Sequence, residues 1–286
     1  MDRVVALSGA IRRRPVSDWD DAYANRAHVP ETDAIVAGWR ADAPAFRKSL
    51  GSRADLDRRY GPGARHVYDL FRPRGAARGL FVFLHGGYWM SFDKSTWSHL
   101  AAGAVARGWA AAVPSYTLAP EARIAAITRE AVQAISAAAR EVEGPVVVAG
   151  HSAGGQLATR AVCRDVEMDP ELRARIRRVV SISGVHDLRP LLHTRMNETL
   201  RLTPEEARAE SPALGEPVAG LRLTAWVGAA ERPEFVRQNS LLANVWAGLG
   251  VEATQVEEAG RHHFDVIAGL AEAESPLVEA ALGEDE

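Results

Sequence analysis

The stretch VVVAGHSAGGQLA, Val146 to Ala158, sets a serine between glycines directly after an apolar run. Gly150, Ser152 and Gly154 satisfy the pattern G-x-S-x-G, for which a chain of this length offers roughly 0.1 chance matches at average residue usage. The context carries more than the pattern. A Val-rich run of strand length precedes the serine, and AGGQLATRAVC, rich in helix formers, follows it. Strand, sharp turn and helix form the arrangement that projects a nucleophilic serine at a sheet edge. The small flanking residues let strand and helix approach closely.

Moving outward, apolar runs of strand length recur from His66, Gly79, Ala110, Pro145, Arg178, Leu221 and Val251. Between most of them the pattern predicts helices, over 100–107, 124–142, 153–164, 235–249 and 264–270. TPEEA from Thr203 reads as a capping box with proline at the first helical position. Strands alternating with helices imply an α/β fold with a mostly parallel central sheet and helices on both faces. No internal repeat or linker marks a second domain. Residues 21–286 read as one domain, preceded by a poorly ordered extension over 1–20. Within it, 21–60 is a candidate cap over the active-site edge, with Trp39 and Phe46 on a helical pattern.

Composition narrows the function. The 286 residues are 47% hydrophobic, ample for a core, and the net charge of −3 comes from interspersed 34 basic and 37 acidic residues. No charge block suits nucleic acid or an anionic membrane, and no apolar stretch approaches the ~20 residues of a membrane span. Near the amino terminus the basic cluster follows the short apolar run, the reverse of a secretory signal. The expected setting is the cytoplasm, with a small molecule as the substrate; a homodimer is compatible with the sequence. Cys163, the single cysteine, excludes an intramolecular disulfide and reads as a packing residue of the helix after Ser152.

A serine hydroxyl is a weak nucleophile at neutral pH and needs a base, an orienting carboxylate and donors for the oxyanion. In the fold implied here these come in the order serine, acid, histidine, in loops at the carboxyl edge of the sheet. FLHGGYWMSF, Phe83 to Phe92, follows an earlier strand, and its glycines free backbone N–H groups. Gly87 and Tyr88 are the expected oxyanion donors, together with Ala153 after the serine. The base is one of His262 and His263, which spacing alone does not separate; His151 is expected to point away and pack. Neither cysteine nor an H-E-x-x-H spacing accompanies the paired histidines, so no metal or other cofactor is expected.

Three carboxylates compete as the acid. Asp187 follows the strand ending at Gly184; Glu234 lies in the first turn of a predicted helix, where the helix dipole already explains it. Glu231, three residues past Gly228 in a loop between strand and helix, has no such structural explanation and is the expected acid.

HGGYW (His85 to Trp89), GHSAGG (Gly150 to Gly155), PEFVRQ (Pro233 to Gln238) and HF at His263 resemble segments of the kynurenine formamidase group of the α/β-hydrolase superfamily. DAYANRAHVP, Asp21 to Pro30, is similar to the start of that group's bacterial members. The resemblance spans about 21–270. It implies a triad of Ser152, Glu231 and His263, and hydrolysis of N-formyl-L-kynurenine to kynurenine and formate. Two departures stand out: Glu231 lies where the group usually has aspartate, and SYTLAPE (Ser115 to Glu121) looks more like hormone-sensitive-lipase-like esterases. Tyr88 and Trp89, where many esterases have another glycine, are expected to wall the substrate site. A short-chain carboxylesterase or thioesterase is the alternative enzyme. A hydrolase-fold binding protein without chemistry is the alternative class, and it would usually lack a triad member.

Overall fold

The computed structural model describes residues 15–283. Residues 1–14 of the expected extension lie outside them; within 15–20, Asp18 caps a short helix that starts at Trp19. The elements run α1 (Trp19–Ala22), α2 (Thr32–Leu50), β1 (Ala54–Arg59), β2 (Val67–Phe71), β3 (Leu80–Leu84), α3 (Ala102–Ala106), β4 (Ala110–Pro114), α4 (Ile124–Glu141) and β5 (Val146–His151). They continue α5 (Ala153–Arg160), α6 (Pro170–Arg175), β6 (Ile176–Ile182), α7 (Asn197–Leu200), α8 (Pro204–Ala209), β7 (Arg222–Gly228), α9 (Pro233–Ala247), β8 (Glu252–Glu258) and α10 (Pro276–Leu282).

One sheet has the order β1-β2-β4-β3-β5-β6-β7-β8. Pairing is antiparallel for β1 with β2 and β2 with β4, and parallel from β4 onward. Central strands covered on both faces must be apolar on both, which is why β3 reads LFVFL without alternation. Leu80, Val82 and Leu84 pack on the face covered by α4, α5 and α9, and Phe81 and Phe83 on the face covered by α2, α3 and α10. In α4, Ile124, Ile127, Ala131, Ile135 and Ala138 repeat at three- and four-residue spacing and are all buried. No helix among the described residues is long and apolar enough to cross a membrane.

Several sequence expectations are corrected. β1 was not expected: ADLDRR is an edge strand whose last four residues are exposed, with a register shift between Asp55 and Arg58, so it has no apolar run to reveal it. Residues 264–270 form a turn and a 3-10 turn (Ala268–Ala271) instead of an α-helix. So short a segment has little intrinsic helicity, and burial of Val266, Ile267 and Leu270 decides its path. Thr203 does cap α8 by accepting from Glu206 N, but the reciprocal half of the box is missing because the Glu206 carboxylate turns to Ala125 N and Arg123.

Candidate active site

Ser152 occupies the turn between β5 and α5 with φ 55° and ψ −118°, a conformation costly for a residue with a Cβ. Close packing enforces it. A Cβ on Gly150 would overlap the carbonyl of Gly154, and one on Gly154 would overlap that of Leu84. The Ser152 N–H donates to Ile182 O at 2.8 Å, which ties the turn to β6.

The loops after β7 and β8 are stitched together by Ala230 N donating to Arg261 O at 2.9 Å. Glu231 and His263 therefore meet. The His263 imidazole Nδ1 and Glu231 Oε2 are 2.6 Å apart, with both residues buried. The other carboxylate oxygen accepts from Gly228 N at 2.9 Å and from the Ser183 hydroxyl. With Nδ1–H donating to the carboxylate, Nε2 is the unprotonated nitrogen, free to accept. Ser183 is itself at φ 52°, at the end of β6. Nothing in its surrounding sequence, SISG, announces this contact.

The two other carboxylates are engaged elsewhere. Asp187 is paired with Arg189 through bonds of 2.9 and 2.8 Å. Burial alone would raise its pKa, but the bonds from Arg189 more than offset this and hold it below the ordinary carboxylate range. Glu234 is more than a helix-dipole partner: it is buried, accepts from Tyr23 Oη at 2.8 Å and Gln238 Nε2 at 3.1 Å, and takes two bonds from Arg237. Burial first, and Glu234 second, raise the Tyr23 pKa and keep its hydroxyl protonated.

His262 has a structural role, its Nδ1 accepting from Phe264 N and Asp265 N at 3.2 Å. His151 does not point away from the site. Its Nε2 donates to the His263 carbonyl at 2.9 Å and it lines the cavity beside Ser152. Burial, and then the nearby His263, push its pKa well below the usual histidine range, so it is neutral.

The HGGYW turn carries positive φ at Gly87 (113°), Tyr88 (49°) and Trp89 (56°), closed by Met90 N donating to Gly87 O at 2.9 Å. A side chain at Gly87 would also collide with Ser91 O, 2.6 Å from a Cβ there. Among the described residues no protein acceptor takes the N–H of Gly87, Tyr88 or Ala153. A cavity of about 230 Å³ opens over this turn, with Ser152 and His263 in its lining. Trp39, Phe92, Trp97 and Phe264 give it an aromatic wall, with Trp39 and Trp97 centroids 4.6 Å apart. Asn25, Arg26 and Val36 reach it from the segment ahead of the sheet, and Tyr88 lines it as expected. Trp89 does not. It is fully buried and its indole N–H donates to Gln156 Oε1 at 3.0 Å, because the turn directs its side chain inward against α5.

The sequence profile of the α/β hydrolase fold matches residues 81–266, more than half of the chain, a range that includes Ser152, Glu231 and His263. The chain belongs to the α/β-hydrolase fold family. This α/β hydrolase is 26% identical to a kynurenine formamidase of Danio rerio, over 75% of this chain and 76% of that one. It is 28% identical to a kynurenine formamidase of Drosophila melanogaster, over 73% and 74%. Among solved structures it is similar to one described as a "putative thioesterase" from Silicibacter sp. TM1040, with 49% identity, a TM-score of 0.89, and 92% of this chain and 98% of that chain covered.

Proposed function

We propose that this hydrolase cleaves a formyl or similarly small acyl group from an aryl amide by acyl-serine chemistry, with N-formyl-L-kynurenine as the leading substrate. The observation that carries the reading is the 2.6 Å pair of Glu231 and His263 at the cavity that Ser152 lines. His263 Nε2 takes the Ser152 proton as Oγ attacks the acyl carbon, and Glu231 stabilises the imidazolium. The oxyanion is met by the N–H groups of Gly87, Tyr88 and Ala153. His263 then passes the proton to the departing nitrogen, the C–N bond breaks, and water repeats the sequence on the acyl-enzyme to release the acid. Of residues 21–60, the part ahead of β1 acts as the cap, with Asn25, Val36 and Trp39 forming its inner surface, while β1 itself belongs to the sheet.

The relatives named kynurenine formamidase and the aromatic wall, which suits a flat leaving group, support the amide reading. A thioesterase is the second reading, favoured by the description of the Silicibacter structure. Comparing kcat/KM for N-formyl-L-kynurenine, phenyl acetate and a short acyl thioester tests the choice. The amide reading expects the formyl amide to be preferred; a thioester turned over at least tenfold better than it would overturn that reading.

A further inference from the structure

Asn25 lies in a 3-10 turn, Asn25–His28, lines the cavity together with Ser152 and His263, and is only 4% exposed. Its neighbours fix which end of its amide is which. The Tyr88 hydroxyl has one hydrogen and donates it to Tyr23 O at 2.6 Å. Toward Asn25 it can only accept, at 3.3 Å, so Nδ2 faces Tyr88. Oδ1 is then left as a buried acceptor with no hydrogen-bond partner among the described residues. Buried polar atoms are rarely unpaired, and one in the lining of a reaction cavity asks for a donor. Oδ1 is covered by its surroundings, so meeting an incoming group requires the amide to turn, a movement restrained on the Nδ2 side by the 3.3 Å bond to Tyr88.

Two other buried polar atoms of lining residues are unpartnered among the described residues: Trp97 Nε1, which can only donate, and His151 Nδ1, which is turned to the oxyanion side of the turn, since a Cβ on Gly86 would lie 3.0 Å from it. Asn25 is thus the side-chain acceptor that the hydrolytic steps above leave unused.

We infer that Asn25 Oδ1 accepts the N–H of the scissile amide, so that the cavity selects amides over isosteric esters and thioesters. This rests on the acyl-serine reading above. An ester oxygen or thioester sulfur brings no hydrogen, and its lone pairs would face those of Oδ1. A site built to hydrogen-bond a donor rejects the analogue without one, because its own polar group stays unpaired. During acylation the amide keeps its hydrogen. The Ser152 proton reaches the nitrogen through His263, and the amine leaves with both, the first still held by Asn25.

Formanilide and phenyl formate differ by N–H against O and serve as probes. Their kcat/KM ratio is measured for the native chain and for Asn25→Ala and Asn25→Leu, each normalised to competent sites counted by fluorophosphonate titration. Intrinsic leaving-group reactivity cancels between proteins. The amide-to-ester ratio is expected to fall about tenfold in both variants, the loss of roughly one hydrogen bond. A ratio within twofold of native in a variant that titrates fully overturns the inference and leaves the hydrolase reading standing. The native chain supplies a second arm. Its acceleration over spontaneous hydrolysis should be at least tenfold greater for the amide, and an equal or smaller acceleration overturns the inference without any variant. Turnover of neither probe, or activity retained by Ser152→Ala, overturns the hydrolase reading itself and the inference with it.

Discussion

The Phe235 ring packs 4.6 Å from the His263 imidazole, inclined at 59°, and 5.8 Å from the ring of Tyr23. His263 is therefore restrained from three directions: by Glu231 at Nδ1, by Phe235 against the ring, and by His151 at its carbonyl. As the base of the proposed reaction, His263 would gain and lose a proton in each half-reaction and return each time to one orientation, and this packing limits the alternatives. It also explains why PEFVRQ forms a unit. Glu234 and Gln238 of that segment bind the Tyr23 hydroxyl, and Phe235 spans from Tyr23 to His263.

Ser152→Ala is expected to lower kcat by roughly 10⁵ to 10⁶ while the protein stays folded. A fluorophosphonate should label the native chain once. Mass spectrometry placing the label on any other residue would remove Ser152 from the reaction.

Glu231→Gln keeps the shape of the side chain but loses the charge that fixes the imidazole tautomer, and kcat should fall by about 10² to 10⁴. Asp187→Asn should stay within a few-fold of native, since its partner is Arg189. Steady-state kinetics on one formyl amide decide between them; the reverse ranking would reassign the acid.

Ser183→Ala removes one of the two donors that hold Glu231 Oε1 and leaves Gly228 N in place. A hydrogen bond to a charged group is worth about 1.5–3 kcal/mol, so kcat should drop by about ten- to a hundredfold with KM nearly unchanged. In a Glu231→Gln background the same change should cost little. Equal losses in both backgrounds would mean that Ser183 acts on the fold and not through Glu231.

Glu234→Gln should cost about 1–3 kcal/mol of stability, read from urea unfolding midpoints. It removes the charge that pairs with Arg237 and replaces one of the two buried acceptor oxygens shared by Tyr23, Gln238 and Arg237 with an NH2 donor. A loss of only a few tenths of a kcal/mol would return Glu234 to a simple helix-dipole role.

Burial pushes the Cys163 thiol up to about 11, and the group is fully enclosed after α5. Native protein at pH 8 should resist iodoacetamide and keep its activity, whereas protein unfolded in urea should be alkylated once. Rapid alkylation of the native chain would show that this helix end opens.

Ser152 and Glu231 stood out as candidates through local sequence, a glycine-crowded turn and a loop directly after a strand, whereas local sequence offered His262 and His263 equally and the family resemblance chose between them. The sheet was legible for a similar reason, since strands buried on both faces have to be apolar throughout. What escaped notice depends on contacts between segments far apart in the chain. Ser183 meets Glu231 across 48 residues and His151 meets the carbonyl of His263 across 112. Trp89 shows the converse. Its neighbours in sequence suggested a substrate wall, and a partner in α5, Gln156, draws it into the core.

The bond between Tyr23 and Glu234 joins residues 211 positions apart. On a ribosome making about 5–20 residues per second, the segment bearing Tyr23 and Asn25 is complete roughly 10–40 s before its partner exists. During that interval the cavity has no finished wall, and the nascent chain exposes apolar side chains, Val36 and Trp39 among them, that are later buried. Hydrolytic competence should therefore appear abruptly and late in synthesis. Chains stalled before Pro233 would carry Ser152 on a formed turn and yet have neither the base nor the surface that receives a substrate.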